Sequence, residues 1–217
     1  MKFRTNKIRT RAFTLTELLI VISIMGILAA LILPVGKSIR EKAAKSRART
    51  ELMKVDMAIN AYKARMGHFP PDNTNNPALS PLYYELVGCK LVGGQYQTLT
   101  GIGAIQSADL PSFFQNPLLT GFVNVGGSGD DNSAAAVSFL KELTPAQFMV
   151  ITNNNVPGAV LCTTLAGPVM LGTANPFRYN CSSPSNNINS YDLWVDLLIG
   201  GKTNRISNWS PQPQIVH

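Results

Sequence analysis

Residues 18–33 carry no charge, and Ser23 is their only polar side chain. Counted back to Phe13, this run is long enough to span a membrane as a helix. Farther on the pattern becomes one-sided. Ala48, Leu52, Val55, Ile59, Tyr62 and Met66 recur at spacings of four, three, four, three and four. That is a single apolar stripe on a helix, able to bury against a sheet or another helix. Between the two stretches, Pro34 predicts a kink, after which the helix resumes. Gly67 suits the C-cap of this long helix, and Pro70-Pro71 blocks its continuation. Leu79, Leu82, Tyr83 and Leu86 then fall at helical spacing and predict a short second helix beneath a folded head.

The rest of the chain is less periodic. Residues 88–132, rich in Gly, Ser, Asn and Gln, read as loops with short irregular elements. Residues 133–143 read as a helix, and Thr144-Pro145 as an N-cap and first helical position opening a short turn through Ile151. Strands are expected at 159–165, 168–171, 177–179 and 191–198. They should form a small antiparallel sheet against the helix stripe, which makes the fold class α+β.

Charge sharpens this layout. The net charge is +7 over 217 residues, but it is unevenly placed. Lys2, Arg4, Lys7, Arg9 and Arg11 form a leader without acids, which should stay in the cytoplasm and send the rest of the chain outward. Residues 36–66 hold nine Lys or Arg against Glu41, Glu51 and Asp56, a basic helix whose charges read as solvated or facing lipid phosphates. From Gly67 onward five bases meet eight acids. The head is therefore not basic, and no nucleic-acid partner is expected. Cys89, Cys162 and Cys181 form no CxxC pair; they can make one disulfide and leave one thiol, or remain three free thiols. His68 and His217 have no ligand spacing, and no nucleophile–His–acid set is visible, so an enzyme is not expected.

Glu17 does not belong in its surroundings. A carboxylate at the start of an apolar helix is costly and usually has a partner and a task. The run Arg11-Ala12-Phe13-Thr14-Leu15-Thr16-Glu17-Leu18-Leu19-Ile20-Val21-Ile22 resembles the processing and methylation motif of type IV pilins and type II secretion pseudopilins. The resemblance implies cleavage between Ala12 and Phe13 by a prepilin peptidase, N-methylation of Phe13, Glu17 as the assembly carboxylate and Pro34 as the helix kink. Ala12 departs from the usual glycine before the cut. Cleavage would create an amine with a reference pKa of about 8, four residues from Glu17 on one helix face. The pair could neutralise each other within a chain, or between chains and so set the register of a new subunit.

Tyr62-Lys63-Ala64-Arg65-Met66-Gly67-His68-Phe69-Pro70 is similar to the helix end of major pseudopilins. Asn175-Pro176-Phe177-Arg178-Tyr179, Tyr191-Asp192-Leu193-Trp194 and Arg205-Ile206-Ser207-Asn208-Trp209 resemble their C-terminal end, where a strand pair leads into a calcium-holding loop. Here residues 195–205 offer only Asp196 and Asn204 beside Lys202 and Arg205. The expectation is that no metal or other cofactor is required, Asp192 and Asp196 being weak calcium candidates. A salt bridge from Lys202 or Arg205 to Asp196 or Asp192 would take the cation's place. Asp130 and Asp131, in a Gly-rich loop without the alternation of an EF-hand, are a second weak candidate pair. Trp194 and Trp209 read as core aromatics.

The likeness covers residues 2–70 and 175–209 and is absent from 88–172, which reads as an insertion. The resulting layout is a leader at 1–12, a transmembrane and filament-core helix at 13–35, an amphipathic helix at 36–66 and an extracytoplasmic head at 67–217. The implied role is a filament subunit anchored once in the inner membrane. Its implied partners are further copies of itself, the membrane, the prepilin peptidase, and the assembly platform with its ATPase. The alternative is a minor, tip-like subunit whose inserted region binds a ligand or surface.

Overall fold

The computed structural model describes residues 14–127, 135–141 and 143–216, with side chains for all of these except 30–37. Two compact units are distinguished, Met1–Lys42 and Ala43–His217. The first long element, α1, spans Leu15–Met66 and contributes to both. Its backbone is helical through Pro34; the kink expected there falls among residues whose side chains lie outside the described set.

Within the second unit, the predicted stripe is the buried face of α1. Ala48, Leu52, Val55, Ile59 and Tyr62 are all nearly inaccessible, and Met66 packs at the edge of the same core. The helix stops where expected. Gly67 takes φ +84°, and its N–H donates to the Lys63 carbonyl at 2.9 Å. A positive φ suits glycine because no Cβ meets the following carbonyl. The short second helix is α2, Leu82–Val87, and Leu79, expected in it, belongs instead to a one-turn 3-10 helix at Pro77–Leu79. Every side chain of α2 is buried.

Residues 88–126 are more regular than their composition suggests. Strands β1 (Cys89–Val92), β2 (Gln95–Thr98) and β3 (Ile105–Gln106), helix α3 (Leu110–Phe114) and strand β4 (Val125–Gly126) occur in order. The sheet order is β3-β2-β1-β4, antiparallel apart from the β1–β4 pair. Strand β5, Phe148–Asn153, pairs with β6, Val156–Thr163, and β6 with β7, Asn175–Pro176. The last sheet contains β8 (Arg178–Asn180), β9 (Asp192–Ile199), β10 (Lys202–Ser207) and β11 (Gln214–Val216), in the order β11-β10-β9-β8 and antiparallel throughout. Asn154-Asn155 and Gly200-Gly201 close the β5–β6 and β9–β10 hairpins with positive φ at both positions. That geometry matches the twist of the flanking strands.

The structure corrects several expectations. The α+β class holds, but among the described residues the strands form three sheets rather than one. Residues 135–141 are not helical. The Val137 backbone is instead bonded on both sides to the Asn124 amide, and the Phe139 N–H to the Leu86 carbonyl. Tertiary partners outside the segment thus replace helical bonds. Residues 148–151 belong to β5 rather than to a turn. Residues 168–171 contain only a single bridge, Leu171 to Ala174. The core is continuous with the inserted region: Tyr84 stacks on Phe122 at 4.5 Å, and Phe113 and Phe114 are fully buried. Gly158 lets β6 approach α3, since a Cβ there would stand 2.5 Å from Phe113.

Candidate functional site

The N-terminal end of α1 is the first site. Ala12 and Phe13, the expected cleavage pair, lie outside the described residues, as do Asp130 and Asp131. Glu17 is described, and the structure gives it a local task. Its carboxylate accepts from the Thr14 N–H at 2.9 Å and from the Thr14 hydroxyl at 2.7 Å, while the Glu17 N–H donates back to that hydroxyl at 3.3 Å. This is a capping box, which satisfies donors left free in the first helical turn. The signal was present as Thr14-Leu15-Thr16-Glu17, a hydroxyl residue followed three positions later by Glu.

Beyond Glu17 the helix presents apolar side chains on every side. Leu15, Leu18, Leu19, Ile20, Val21, Ile22, Ile24, Met25, Ile27 and Leu28 are each between 41 and 79% exposed. Ser23 is exposed as well, but its hydroxyl is satisfied within the helix, donating to the Leu19 carbonyl at 2.7 Å. A helix that is apolar all round requires an apolar environment from outside itself. Among the described residues no helix is long and apolar enough to cross a membrane.

The second site is the polar attachment of α1 to the head. Arg49 donates through Nη1 to the carbonyls of Ser207 and Ser210, the latter at 2.8 Å. Glu51, almost buried, accepts from the Thr163 hydroxyl at 2.5 Å and the Thr164 hydroxyl at 2.9 Å. Asp56 accepts from the Tyr191 hydroxyl at 2.7 Å. The deepest link joins Tyr62 to Glu85, both fully inaccessible. Glu85 accepts from the Tyr62 hydroxyl at 2.9 Å, the Val123 N–H at 2.8 Å and the Asn124 N–H at 3.0 Å. Burial pushes its carboxyl above the usual range, partly offset by these donors. The same burial, with the Glu85 charge, pushes the Tyr62 phenol up. Nothing in the spacing of Glu85 distinguished it from a surface glutamate on α2.

The third site is the C-terminal sheet. Arg205 binds Asp196 through both arms, Nε to Oδ1 at 2.8 Å and Nη2 to Oδ2 at 2.9 Å. This is the expected salt bridge, and hydrogen bonding to Asp196 holds the guanidinium pKa up. Asp192 does something different. It accepts from the N–H groups of Ser185, Asn186 and Asn187 and from the Asn186 side chain, all within 2.9 Å. Its oxygens therefore pin the loop before β9. Neither carboxylate is arranged for calcium, which needs several free oxygen ligands. Among the described residues no group of three His, Cys, Asp or Glu could hold a metal. Trp194 and Trp209 are only half-buried and meet each other edge-to-face at 5.8 Å, with Arg205 beside Trp194. They form a surface pair rather than part of the core. All three cysteines are free thiols; burial pushes Cys162 up to about 11, with the nearby Glu51 charge adding to the effect.

Comparison with known proteins bears on the first site most directly. Residues 7–33 match the family described as the prokaryotic N-terminal methylation motif. The chain is 35% identical over 80 residues to the type II secretion system core protein G of Escherichia coli (strain K12), covering 34% of this chain and 55% of that protein. It is 34% identical over 71 residues to the core protein G of Klebsiella pneumoniae, covering 33% of this chain and 51% of that protein. The corresponding protein of Dickeya chrysanthemi is 36% identical over 62 residues, 29% of this chain and 40% of that protein. The chain thus spans about half the length of the curated relatives it matches. No solved structure matches this one.

Proposed function

We propose that this chain is a structural subunit of a type II secretion pseudopilus, cut before Phe13 by a prepilin peptidase, N-methylated there and assembled through its N-terminal helix. It performs no chemistry of its own. The observation that carries the reading is the helix at 15–28, exposed and apolar on every side, headed by one carboxylate and lying within the match to the methylation motif at residues 7–33. Lipid tails cover this helix in the single-pass precursor, with its leader in the cytoplasm and its head outside. Helices of sibling subunits cover it in the filament. Lipid tails are about as apolar as a bundle of such helices, so exchanging one cover for the other changes the hydrophobic free energy little. That makes subunits extractable by an assembly platform and ATPase without a large penalty.

Glu17 supplies the specificity that greasy contacts lack. In the precursor its carboxylate closes the helix cap at Thr14. After cleavage the new amine of Phe13 provides a cation within reach of it, in the same chain or a neighbour. The test is filament formation by a Glu17→Ala chain, visualised by electron microscopy alongside the parent. Loss of filaments with an intact head supports the role; normal filaments would remove Glu17 from assembly.

A further inference from the structure

The head carries an apolar hollow and, elsewhere on its surface, an apolar knob that nothing among the described residues covers. The hollow is a groove of about 600 Å³ between α1 and residues 137–141. Met57, Ala61, Phe139 and Leu140 line it, with Lys54 and Lys141 as its charged residues. No acid is among the described residues that line it. Met57 is 61% exposed although it sits between turns that bury the core stripe. The groove wall is fixed: Val137 is clamped by Asn124, whose own backbone is held by the buried Glu85.

The knob is Leu118, 89% exposed and the most exposed large hydrophobic residue among those described. It occupies the turn Asn116-Pro117-Leu118-Leu119, closed by the Leu119 N–H donating to the Asn116 carbonyl at 3.1 Å. Pro117 fixes one backbone angle of that turn. The Leu118 N–H is also held by the Asn116 side chain at 3.0 Å. Asn116 reaches the buried Asn73, which in turn binds the carbonyls of Leu79 and Phe114. A rigid framework therefore presents an unpartnered leucine to the outside. The hollow beside it contains Asp72 and no base among its lining residues.

We propose that Leu118 of one copy seats in the Lys54–Lys141 groove of the next copy, so that the heads form a head-to-tail contact. This rests on the filament reading above. Among the described residues the two surfaces differ and are complementary in charge, with Asp72 beside the knob and Lys54 and Lys141 at the groove. Contacts between unlike patches of one molecule do not close as two-fold dimers; they form rings where the rotation closes and open helical arrays where it does not.

The test is a full-length chain carrying Cys181→Ser with Leu118→Cys and Met57→Cys, oxidised mildly after assembly. Cys89 and Cys162 are buried and stay out of the reaction. Both new positions are exposed, so folding should be unaffected; Leu118→Cys with Ala61→Cys provides an independent second pair. A ladder of covalent multimers from intact filaments, absent from either single-cysteine chain, is expected. Filaments that yield no ladder with either pair would overturn the contact and leave the filament reading standing. Cross-linking of Met57→Cys to a different protein would overturn it too, by giving the groove another occupant. If the parent chain forms no filaments, the reading and the contact fall together.

Discussion

The Tyr62–Glu85 link makes a sharp demand on the head's pH dependence. Because burial raises the Glu85 pKa in the folded state, the folded chain holds this proton more tightly than the unfolded chain does. Its contribution to stability is therefore full below the unfolded value, near 4.3, and is lost as pH rises toward the folded value. The slope in that window reaches at most about 1.4 kcal/mol per pH unit. Glu85→Gln removes the titration. It also sets an amide N–H against one of the N–H groups of Val123 and Asn124, a cost that does not vary with pH. Tyr62→Phe works from the other side. It deletes one of three donors to a buried carboxylate, so its cost should be roughly 1.5–3 kcal/mol when Glu85 is ionised, and about half that when it is protonated. In a head of this size the ionised case corresponds to roughly 3–12 °C in Tm.

The assay is thermal unfolding of the full-length chain in detergent from pH 4 to 8, followed by fluorescence of Trp194 and Trp209. Parent minus Glu85→Gln should fall with pH, and the Tyr62→Phe penalty should grow. Other titrating groups are common to all three chains and cancel in the differences. Flat differences for both substitutions would refute the assignment of Glu85 as a buried, titrating anchor.

Other expectations follow from the same contacts. Leu52→Ala, at a fully buried stripe position, should cost about 2–5 kcal/mol in the same melts. Met53→Ala, half exposed one residue on, should stay within about 0.5 kcal/mol; equal effects would contradict the stripe. Arg205→Ala leaves Asp196 nearly buried without its partner and should cost about 2–3 kcal/mol, somewhat less than a fully buried pair. Chelating divalent cations should leave the parent's Tm unchanged; a fall of several degrees would place a metal at the C-terminal loop after all. A thiol reductant should likewise leave Tm unchanged, since the structure has no disulfide to break.

The parts of this fold that were legible in the sequence are those written in a period or a charge count. The α1 stripe could be read because each apolar residue lies three or four positions from the next. Its end at Gly67 was marked by the one residue type that takes positive φ freely. A bridge among Lys202, Arg205, Asp192 and Asp196 could be expected from their nearness in sequence, but only the structure selects Arg205 with Asp196. The missed features depend on partners distant in sequence. Residues 135–141 have helical composition, yet Asn124 and Leu86 claim their backbone bonds. Glu85 looks like a solvated glutamate until Tyr62 and the chain around Val123 close over it. Asp192 resembles a cation ligand until the turn at 185–187 supplies it with four donors. The capping box at Thr14 is legible locally, since Thr14 and Glu17 stand at the spacing that closes one.

Whether the chain is processed before Phe13 can be read from intact-mass spectrometry of the membrane-extracted protein. A chain beginning at Phe13 and carrying one added methyl group is predicted, despite Ala12 before the cut. A full-length chain beginning at Met1 would contradict it. The apolar helix would then be a static anchor, and Glu17 would be no more than the cap of that helix.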